Sequence, residues 1–373
     1  MRIGLMGFGS MGKTHLYCVQ NLKYFFDTDL DVKIVSVCTR NIENAKKASL
    51  QYGIDSYTDN EDDIIYDKSI DAIDICTPNI YHYATAKKAI LAGKHVYCEK
   101  PLAISYEEAR ELAVLAKKHK VKCHMVFNNR FLSPILRAKQ LIDEGKLGRI
   151  MSFSGAYLHS SALDVNKTGW KQDKDICGGG VLFDLGSHIT DLIYYLCGKF
   201  KSVIGKSQIA YPTRIGVSGS EWQTNADEAF YMLATLENGA MGTITVSKIT
   251  TGANDDLSFE IHGEKGSIRF NLMNPNFLEY YSCDAQNGQY GGEKGYTQIE
   301  CVNRYPSPGG VFPGIKAPIG WLRGHIGNYY SFVDCVEHDN EPAISFEDGA
   351  YVHLVLERAY LSDTLKKEVM IDD

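Results

Sequence analysis

Short apolar runs alternate with amphipathic segments over the first third of the chain. The runs are rich in β-branched residues and predict strands, and the segments between them repeat their apolar positions at helical spacing. The predicted strands are Arg2–Met6, Val32–Cys38, Asp71–Cys76, Lys94–Cys98 and Lys122–Phe127. The predicted helices are Gly12–Phe26, Asn41–Gln51, Tyr81–Leu91 and Ser105–Lys118. This alternation is typical of an α/β domain with a parallel sheet and right-handed crossovers.

The pattern changes after about residue 130, where strand-like runs predominate. They are Ile150–Leu158, Glu228–Leu236, Met241–Ser247, Leu257–His262 and Ser267–Phe270. Asn238-Gly239 is a hairpin turn signal between two of these runs. We therefore expect an α+β domain with an antiparallel sheet and place the two domains at residues 1–127 and 128–373. Residues 283–325 are rich in Gly, Pro and Tyr and are expected to form a long irregular loop.

A glycine motif lies between the first predicted strand and the first predicted helix. Gly7, Gly9 and Gly12 fit the dinucleotide fingerprint, in which they permit a tight turn, close approach of the pyrophosphate and close helix packing. The free N–H groups of the following helix favour an anion. The predicted cofactor-binding residues of this segment are Gly7, Phe8, Gly9, Ser10, Met11 and Gly12.

The end of the second predicted strand bears on the choice between NAD and NADP. An acidic residue there would bind the ribose hydroxyls of NAD. The chain has Thr39 and Arg40 instead, and Arg40 could pair with a 2′-phosphate or stack on adenine. These two residues permit NADP without excluding NAD, so the expected cofactor is NAD or NADP.

Three residues carry candidate chemistry. Lys100 follows the predicted strand Lys94–Cys98, so it lies at the edge of the sheet where ligands of such domains bind. Asp184 and His188 are four residues apart after a run of three glycines, and a helix there would place them on one face. A half-buried histidine beside a carboxylate is a good proton acceptor near neutral pH. An ordinary surface lysine and an ordinary i,i+4 pair are the alternative interpretations.

Charge and cysteine content exclude several classes. The net charge of −7, with no run of one sign, argues against nucleic acid and anionic membranes as partners. No apolar segment is long enough to span a bilayer. The ten cysteines form no CxxC pair and lie mostly in apolar runs, so we expect reduced thiols in the cytoplasm and no metal site.

The motifs together resemble the glucose–fructose oxidoreductase, inositol dehydrogenase and MocA family. The resemblance runs from about residue 1 to 360. It is carried by the glycine fingerprint and by several further segments: Cys76-Thr77-Pro78-Asn79 with His82, Glu99-Lys100-Pro101, Asn129-Arg130-Phe131, Glu144–Gly148, Asp184 with His188, Glu237-Asn238-Gly239 and His262–Gly266.

The resemblance implies a fold and an activity. It implies a Rossmann domain followed by an α+β domain with an open-faced, mostly antiparallel sheet, which often packs against another subunit as a dimer or tetramer. It implies reversible oxidation of a secondary alcohol on a sugar or cyclitol, with Lys100, Asp184 and His188 as the catalytic residues. It also implies that the Lys100–Pro101 bond is cis. Further cofactor contacts are expected from Thr77, Pro78, Asn79, His82, Glu99 and Lys100.

Within this scheme we assign His188 as the base and Lys100 as the donor that stabilises the developing alkoxide, although the two roles could be exchanged. Asp184 would orient His188 or bind a neighbouring hydroxyl. The expected substrate-binding residues are these three together with Asn128, Arg130, Tyr157, His159, Trp170 and Lys171.

The substrate could be a sugar, a glycoside or a cyclitol. Aromatic residues between positions 276 and 330 suggest an aglycone wall and oxidation at the 3-position of a glucoside, whereas a subunit interface is the alternative use of the same loop. Two other functions compete: redox-assisted glycoside cleavage with retained NAD, and a non-catalytic dinucleotide-sensing regulator. The presence of Lys100, Asp184 and His188 together argues against the regulator.

Overall fold

The computed structural model describes residues 1–166, 168–216 and 219–372, which form two compact units. The first unit comprises Met1–Asn128, Tyr305–Ile315 and Trp321–His353, and the second comprises the rest of the described chain. None of the described helices is long and apolar enough to cross a membrane.

The first unit contains a six-stranded sheet in which every pair of neighbouring strands is parallel. Its strands are β1 (Arg2–Met6), β2 (Lys33–Cys38), β3 (Ser56–Thr58), β4 (Ala72–Ile75), β5 (His95–Cys98) and β6 (Cys123–Met125). The helices of this part of the chain are α1 (Ser10–Phe25), α2 (Ile42–Tyr52), α3 (Asp62–Ile65), α4 (His82–Leu91) and α5 (Tyr106–His119). The spatial order β3-β2-β1-β4-β5-β6 is that of a doubly wound Rossmann sheet and confirms the predicted fold of this domain.

The remaining elements follow in chain order. The helices are α6 (Ser133–Asp143), α7 (Lys174–Cys177), α8 (Ser187–Cys197), α9 (Trp321–Glu337) and α10 (Phe346–Leu365). The strands are β7 (Ile150–Leu158), β8 (Phe200–Gln208), β9 (Thr213–Ile215), β10 (Glu221–Gln223), β11 (Ala229–Leu236), β12 (Met241–Ser247), β13 (Asp256–Gly263), β14 (Gly266–Asn271), β15 (Phe277–Ser282), β16 (Tyr296–Glu300) and β17 (Val369–Met370).

Helix α9 completes the core of the first unit, although it lies late in the chain. Its apolar face, with Ile326, Tyr329 and Phe332, packs in one cluster with Leu16 and Val19 of α1. These three α9 residues recur every three positions, which places them on one side of the helix. The first unit therefore includes chain segments beyond residue 304, whereas the prediction assigned residues 128–373 to one continuous second domain.

The second unit is built on a nine-stranded sheet of order β16-β15-β14-β13-β7-β12-β11-β8-β17. In this sheet β7 and β12 pair in parallel, and the other neighbouring strands pair antiparallel. Helix α8 lies close against one face, because a Cβ added at Gly155 of β7 would come within 2.8 Å of the Ile189 side chain. The predicted α+β domain with a mostly antiparallel sheet is confirmed.

The segment 283–325 is more regular than expected. It contains β16, which pairs with β15 at the edge of the nine-stranded sheet. This strand reads Tyr-Thr-Gln-Ile-Glu and is mostly exposed, so it lacks the apolar alternation that marks a strand buried on one face. The prediction of a wholly irregular loop was wrong for this reason.

Candidate active site

The glycine motif lies at the switch point of the first sheet. Strand β1 has β2 on one side and β4 on the other, and the chain leaves the sheet at Gly7. The Gly7 N–H donates to the Cys38 carbonyl at 2.8 Å, and the Cys76 N–H donates to the Met6 carbonyl at 2.8 Å. A crevice opens at such a point because the connections on either side run to opposite faces of the sheet.

The fold itself requires two of the three glycines, and the third leaves open space. Gly7 has a φ of +91°, and a Cβ there would lie 2.7 Å from the Cys76 carbonyl oxygen. A Cβ at Gly12 would lie 2.4 Å from the Gly7 carbonyl oxygen, whereas one at Gly9 would meet no atom of the described chain within 4 Å. Gly9 is also the N-cap of α1 and offers that end no side chain. Backbone N–H groups and open space at a helix N-terminus fit a dinucleotide pyrophosphate.

The residues expected near the adenosine ribose lie at the end of β2. The Thr39 hydroxyl donates to the Asn41 carbonyl at 2.7 Å, and Arg40 is exposed. The Asn41 side chain accepts the Glu43 N–H at 2.9 Å and thereby caps α2. This turn therefore presents a hydroxyl and a guanidinium in the place of the acid that binds a ribose diol.

The loops after β4 and β5 are tied together by His82. Its Nδ1 lies 2.8 Å from the Pro101 carbonyl and its Nε2 lies 2.8 Å from the Thr77 carbonyl. Pro78 is half-buried and Asn79 is buried beside Thr77. The expected cofactor residues of these two loops thus lie together at one edge of the sheet, and His82 serves there as a bridge between them.

Lys100 lies two residues beyond the end of β5 and is half-buried. Its backbone N–H donates to Glu99 Oε2 at 3.2 Å, and Glu99 is itself buried. The Lys100–Pro101 bond is cis, as the resemblance implies. The structure therefore places Lys100 at the carboxyl edge of the sheet, in the same unit as the glycine motif.

Asp184 and His188 belong to the second unit and lie in two kinds of helix. Leu182–Gly186 form a π-helical turn, and α8 follows directly with His188 in its first turn. Single π-helical turns inside α-helices occur frequently at functional sites. Both side chains are half-buried. The segment is helical as predicted, but its winding at Asp184 is wider than that of an α-helix.

The glycine run before this turn accommodates protein rather than an incoming molecule. A Cβ at Gly180 would lie 2.2 Å from the Asp227 backbone. The Asp227 carboxylate accepts the N–H groups of Gly180 at 3.0 Å and Leu182 at 3.1 Å, and it also accepts the Tyr360 hydroxyl. Burial raises the pKa of Asp227. Asp227 therefore caps the π-helical turn that carries Asp184.

Two lysines flank the Asp184 carboxylate. Lys171 Nζ lies 3.1 Å and 2.9 Å from its two oxygens, and Lys248 Nζ lies 2.8 Å from Oδ2. Lys171 also lies 5.6 Å from the centre of the half-buried Trp170 ring. Asp184, Lys171 and Lys248 together form a group with one surplus positive charge, which is suited to oxygen-rich ligands.

A second polar group lies next to His188. The Tyr157 ring packs edge-on to the His188 ring at 5.9 Å between centres, and its hydroxyl donates to Asp255 Oδ1 at 2.6 Å. His159 Nε2 lies 3.0 Å from the same oxygen. Burial raises the pKa of Tyr157, so its hydroxyl stays a donor. Burial also opposes ionisation of Asp255, but the hydrogen bonds from His159 and Tyr157 outweigh it and lower the pKa of Asp255.

Arg130 and Asn128 are placed differently from the other expected substrate residues. Arg130 forms a buried two-point ion pair with Asp191, at 2.9 Å and 2.6 Å, and lies over the Tyr195 ring. Asn128 is buried and belongs to the first unit. Because the Arg130 guanidinium is already paired with Asp191 inside the protein, this residue is better suited to a structural role than to substrate binding.

The aromatic residues expected to form an aglycone wall are divided between the two units. Tyr281 and Tyr296 contact each other on β15 and β16 of the second unit, at 5.6 Å between ring centres. Phe312 contacts Phe25 at 5.9 Å within the first unit. These contacts give each pair a packing role within its own unit.

Comparison with known proteins agrees with these observations. Residues 1–127 match the oxidoreductase family with an NAD-binding Rossmann fold, and residues 135–269 match the GFO/IDH/MocA C-terminal domain. The levoglucosan dehydrogenase of Pseudarthrobacter phenanthrenivorans is 30% identical over 371 residues, which cover 95% of this chain and 94% of the relative. This chain belongs to the GFO/IDH/MocA family of oxidoreductases.

Two further members of the family resemble it over nearly the whole length. The glucose-6-phosphate 3-dehydrogenase of Bacillus subtilis is 27% identical, with 97% of this chain and 96% of the relative covered. A levoglucosan dehydrogenase solved in complex with NADH and levoglucosan has a TM-score of 0.93 and 29% identity, covering 100% of this chain and 99% of that one. The predicted family, the fold class, the NAD(P) cofactor and the dehydrogenase class are confirmed.

Three charged residues of the second-unit site were missed from the sequence: Lys248, Asp255 and Asp227. Lys248 directly follows β12, and β12 lies beside β7, which carries Tyr157. Asp255 directly precedes β13, the other neighbour of β7. A position at the end of a strand was the available signal, but its use required knowing that β7 lies between β12 and β13 in the GFO/IDH/MocA sheet.

Proposed function

We propose that this protein is an NAD(P)-dependent dehydrogenase acting on a secondary hydroxyl of a sugar, glycoside or cyclitol, and that the 3-position of a glucoside is its target. The observation that carries this proposal is the polar group around His188, where Tyr157, His159 and Asp255 form a hydrogen-bonded set beside the imidazole. Relatives named for levoglucosan and for oxidation of glucose 6-phosphate at position 3 support the sugar class.

The proposed roles of the catalytic residues follow from their chemistry. His188 takes the proton of the substrate hydroxyl, because an imidazole titrates near neutral pH. Lys100 donates to the oxygen on which negative charge develops. The nicotinamide, when bound, supplies the hydride acceptor. A His188→Asn variant should lose most of its turnover together with the near-neutral limb of the pH–rate profile. Retention of that limb would instead assign the base to Lys100.

The proposed substrate contacts lie around Asp184. Its carboxylate accepts hydrogen bonds from substrate hydroxyl groups, and Lys171 and Lys248 donate hydrogen bonds to hydroxyl oxygens on either side. Trp170 offers an aromatic face for the C–H side of a pyranose, and Lys171 lies over that ring. Mixed polar and aromatic contacts of this kind suit a ring that has polar edges and apolar faces.

A substrate panel tests the proposal. The compounds are an aryl β-glucoside, levoglucosan, glucose, glucose 6-phosphate and myo-inositol, each supplied with NAD and with NADP. Formation of reduced nicotinamide is measured by absorbance. We expect the highest kcat/KM for compounds whose anomeric carbon is blocked, namely the glucoside and levoglucosan. A preference for free glucose or for myo-inositol would contradict the glycoside proposal. Release of the aglycone without accumulation of reduced cofactor would indicate redox-assisted cleavage instead.

The coenzyme arm of the panel tests Thr39 and Arg40. We propose that the enzyme uses NAD and tolerates NADP, because this turn holds no acid that would repel a 2′-phosphate. Arg40→Ala should raise the KM for NADP and leave the KM for NAD nearly unchanged. Equal effects on both coenzymes would show that Arg40 serves the adenine and not the phosphate.

We propose a homo-oligomer, a dimer or tetramer, formed through the nine-stranded sheet. The sheet carries a concave region of about 500 Å³, lined on neighbouring strands by Ser154, Thr243, Glu260, Arg269 and Gln298. Exposed apolar side chains lie on the same sheet, among them Tyr231, Leu233 and Met241. Light scattering coupled to gel filtration measures the assembly, and a monomer that retains full turnover would contradict this proposal.

We propose the cytoplasm as the compartment. None of the ten cysteines is paired in a disulfide, and eight of them are buried. Reduced thiols persist in a reducing compartment, which supports the assignment. Fractionation of cells producing the protein tests it.

A further inference from the structure

His15 occupies an unusual position beneath the loop that carries Lys100. It lies on α1, three residues after Gly12, and its side chain is 0% exposed. Nδ1 lies 2.8 Å and 3.1 Å from the two oxygens of Asp74 on β4. Nε2 lies 3.2 Å from Glu99 Oε1. The imidazole is therefore held between two buried carboxylates within the first unit.

This geometry favours a protonated His15. A carboxylate only accepts hydrogen bonds, so Nδ1 carries the proton that it shares with Asp74. Nε2 and Glu99 Oε1 face each other at the distance of an ion pair, without the alignment of a hydrogen bond. Burial alone would lower the pKa of His15, but Asp74 and Glu99 outweigh burial and raise it to about 10. Burial likewise opposes ionisation of Glu99, and the attraction of the neighbouring His15 brings the pKa of Glu99 down to about 2. The group is an imidazolium with a carboxylate on each side.

The other groups around the ring extend this network. The Tyr329 hydroxyl donates to Asp74 Oδ2 at 2.9 Å. The Cys76 sulfur lies 3.1 Å from His15 Nδ1 and 3.4 Å from Asp74 Oδ1, to which its thiol donates. The remaining titratable side chains that face the ring are Tyr97 of β5 and His325 of α9, at 5.1 Å and 6.4 Å between ring centres.

A metal ion is the competing interpretation of this cluster. Within the described residues, His15, Asp74 and Cys76 form the one set with the spacing of metal ligands, their ligand atoms lying within 4.8 Å of one another. A metal requires a deprotonated ring nitrogen and favours a thiolate. Both nitrogens of His15 face carboxylates, and burial raises the pKa of the Cys76 thiol. The arrangement therefore suits a proton better than a metal.

Glu99 connects this network to the catalytic lysine. Its Oε1 faces His15, and its Oε2 accepts the backbone N–H of Lys100 at 3.2 Å. We infer that His15 is a positioning residue, which orients Glu99 between the imidazole and the Lys100 backbone and so fixes the lysine that acts on the substrate. This inference rests on the proposed role of Lys100 in sugar oxidation.

Kinetics of His15→Gln test the inference. Glutamine is neutral, so Asp74 and Glu99 lose the cation between them. Glu99, which accepts the Lys100 backbone N–H, should then be held less firmly. We expect kcat to fall at least about 10-fold, because small displacements of a catalytic group have large effects on rate. The NADH affinity, measured by fluorescence, should stay within about threefold, because the change touches the transition state and not ground-state binding. His124→Gln is the matched control, since His124 is equally buried in the same unit; its kcat should stay close to that of the wild type.

A double-mutant cycle separates positioning from a general structural effect. If His15 acts through Glu99, then adding Glu99→Gln to His15→Gln should lower kcat little further, although Glu99→Gln alone lowers it strongly. Fully additive losses would overturn the inference.

Two measurements need no substrate and so distinguish a failure of this inference from a failure of the proposed function. ¹⁵N NMR of histidine-labelled protein at about pH 8 should show both His15 nitrogens protonated, whereas an ordinary histidine is neutral there. ¹³C-methylation of the lysines should give a Lys100 signal, assigned with Lys100→Arg, that moves in His15→Gln and not in His124→Gln. A neutral His15, stoichiometric zinc in the protein or an unmoved Lys100 signal would overturn the inference. Inactivity on every sugar would contradict the proposed function alone.

Discussion

Asp227→Asn is the substitution that best tests how the fold positions Asp184. Asp227 is 7% exposed. Its carboxylate accepts hydrogen bonds from the N–H groups of Gly180 and Leu182, at 3.0 Å and 3.1 Å, and from the Tyr360 hydroxyl. Asparagine replaces one of these oxygens by an NH₂ group, which sets a donor against a donor. A lost charge-assisted bond costs about 1.5–3 kcal/mol, and a buried N–H left unpaired costs about 1–3 kcal/mol more.

Part of this cost is recovered, because burial of the ionised carboxylate is itself unfavourable and raises the pKa of Asp227. We therefore expect a net loss of about 2 kcal/mol in the free energy of unfolding. Tyr360→Phe removes the hydrogen bond that the hydroxyl donates to Asp227 and the one that it accepts from the Gly180 N–H at 2.9 Å. Both the Gly180 and the Leu182 N–H groups keep the Asp227 carboxylate as an acceptor, so this substitution should cost only about 1 kcal/mol. Asp227→Asn should destabilise the protein more than Tyr360→Phe, because only Asp227→Asn takes the carboxylate acceptor away from a backbone N–H group.

Activity should fall more than stability suggests. Leu182 begins the π-helical turn and Asp184 lies two residues later, so a loosened cap displaces the carboxylate. A displacement of about 1 Å can cost about 100-fold in rate. We expect kcat/KM for the glycoside to fall between about 10-fold and about 100-fold in Asp227→Asn. The NADH affinity should be unchanged, because the fingerprint lies in the other unit.

Thermal unfolding and glycoside turnover are the two assays, and Asp363→Asn is the matched control. Asp363 lies on α10 with Tyr360, is 8% exposed, and accepts the Ser207 N–H at 3.0 Å, and it also pairs with Lys206 and Lys366 at the surface. Its loss should lower Tm and leave kcat/KM close to that of the wild type. Full turnover in Asp227→Asn, or an equally inactive Asp363→Asn, would refute the argument that Asp227 acts by positioning Asp184.

Three further predictions concern charged groups. Lys100→Ala should lower turnover at least about 100-fold, the effect of a lost charge-stabilising donor, while NADH affinity is kept; wild-type turnover would contradict its role. Lys248→Met should lower kcat/KM more than Lys171→Met does. The Lys248 side chain is 11% exposed and the Lys171 side chain is 48% exposed, so solvent screens the Lys171–Asp184 ion pair more strongly than the Lys248–Asp184 ion pair. Equal losses of kcat/KM in the two variants would count against this reasoning. Because the pKa of His15 rises from 6.5 to about 10 on folding, its stabilising effect is complete below about pH 6.5 and is lost as the pH approaches 10. The Tm difference between wild type and His15→Gln should shrink over that range, and a constant difference would argue against the imidazolium.

The first sheet could be predicted from the sequence because each of its principal strands is a short apolar run. Strands buried on both faces carry this signal independently of their neighbours. β16 could not be predicted, since it lies at a sheet edge and is mostly exposed. The assignment of α9 to the first unit also could not be predicted. Its apolar face indicates that it packs against something, but the pattern does not say that the partner is α1.

The residues of the candidate site also fall into those that could be predicted from the sequence and those that could not. Lys100, Asp184 and His188 could be found because each lies beside a local signal: a strand end for the first, and a glycine run before a helix for the other two. His15 carries no such signal, and Lys248 and Asp255, although each lies at the end of a strand, could not be placed without the order of the strands. Their importance comes from carboxylates and amines that lie far away in sequence, such as Asp74 for His15, and those pairings exist only once the strands are in order.

The glycine run at 178–180 shows why a correct local inference can leave the partner open. Glycines in succession indicate that something approaches the backbone closely, and that inference holds, because a Cβ at Gly180 would collide with Asp227. The approaching group is Asp227 of the protein itself, through both its backbone and its carboxylate, although an incoming molecule would have left the same signal in the sequence. The two cases predict different effects of a Gly180→Ala substitution. Displacement of Asp227 would remove the cap of the π-helical turn and lower stability and turnover together, whereas steric exclusion of a substrate would raise KM and leave the folded protein as stable as before.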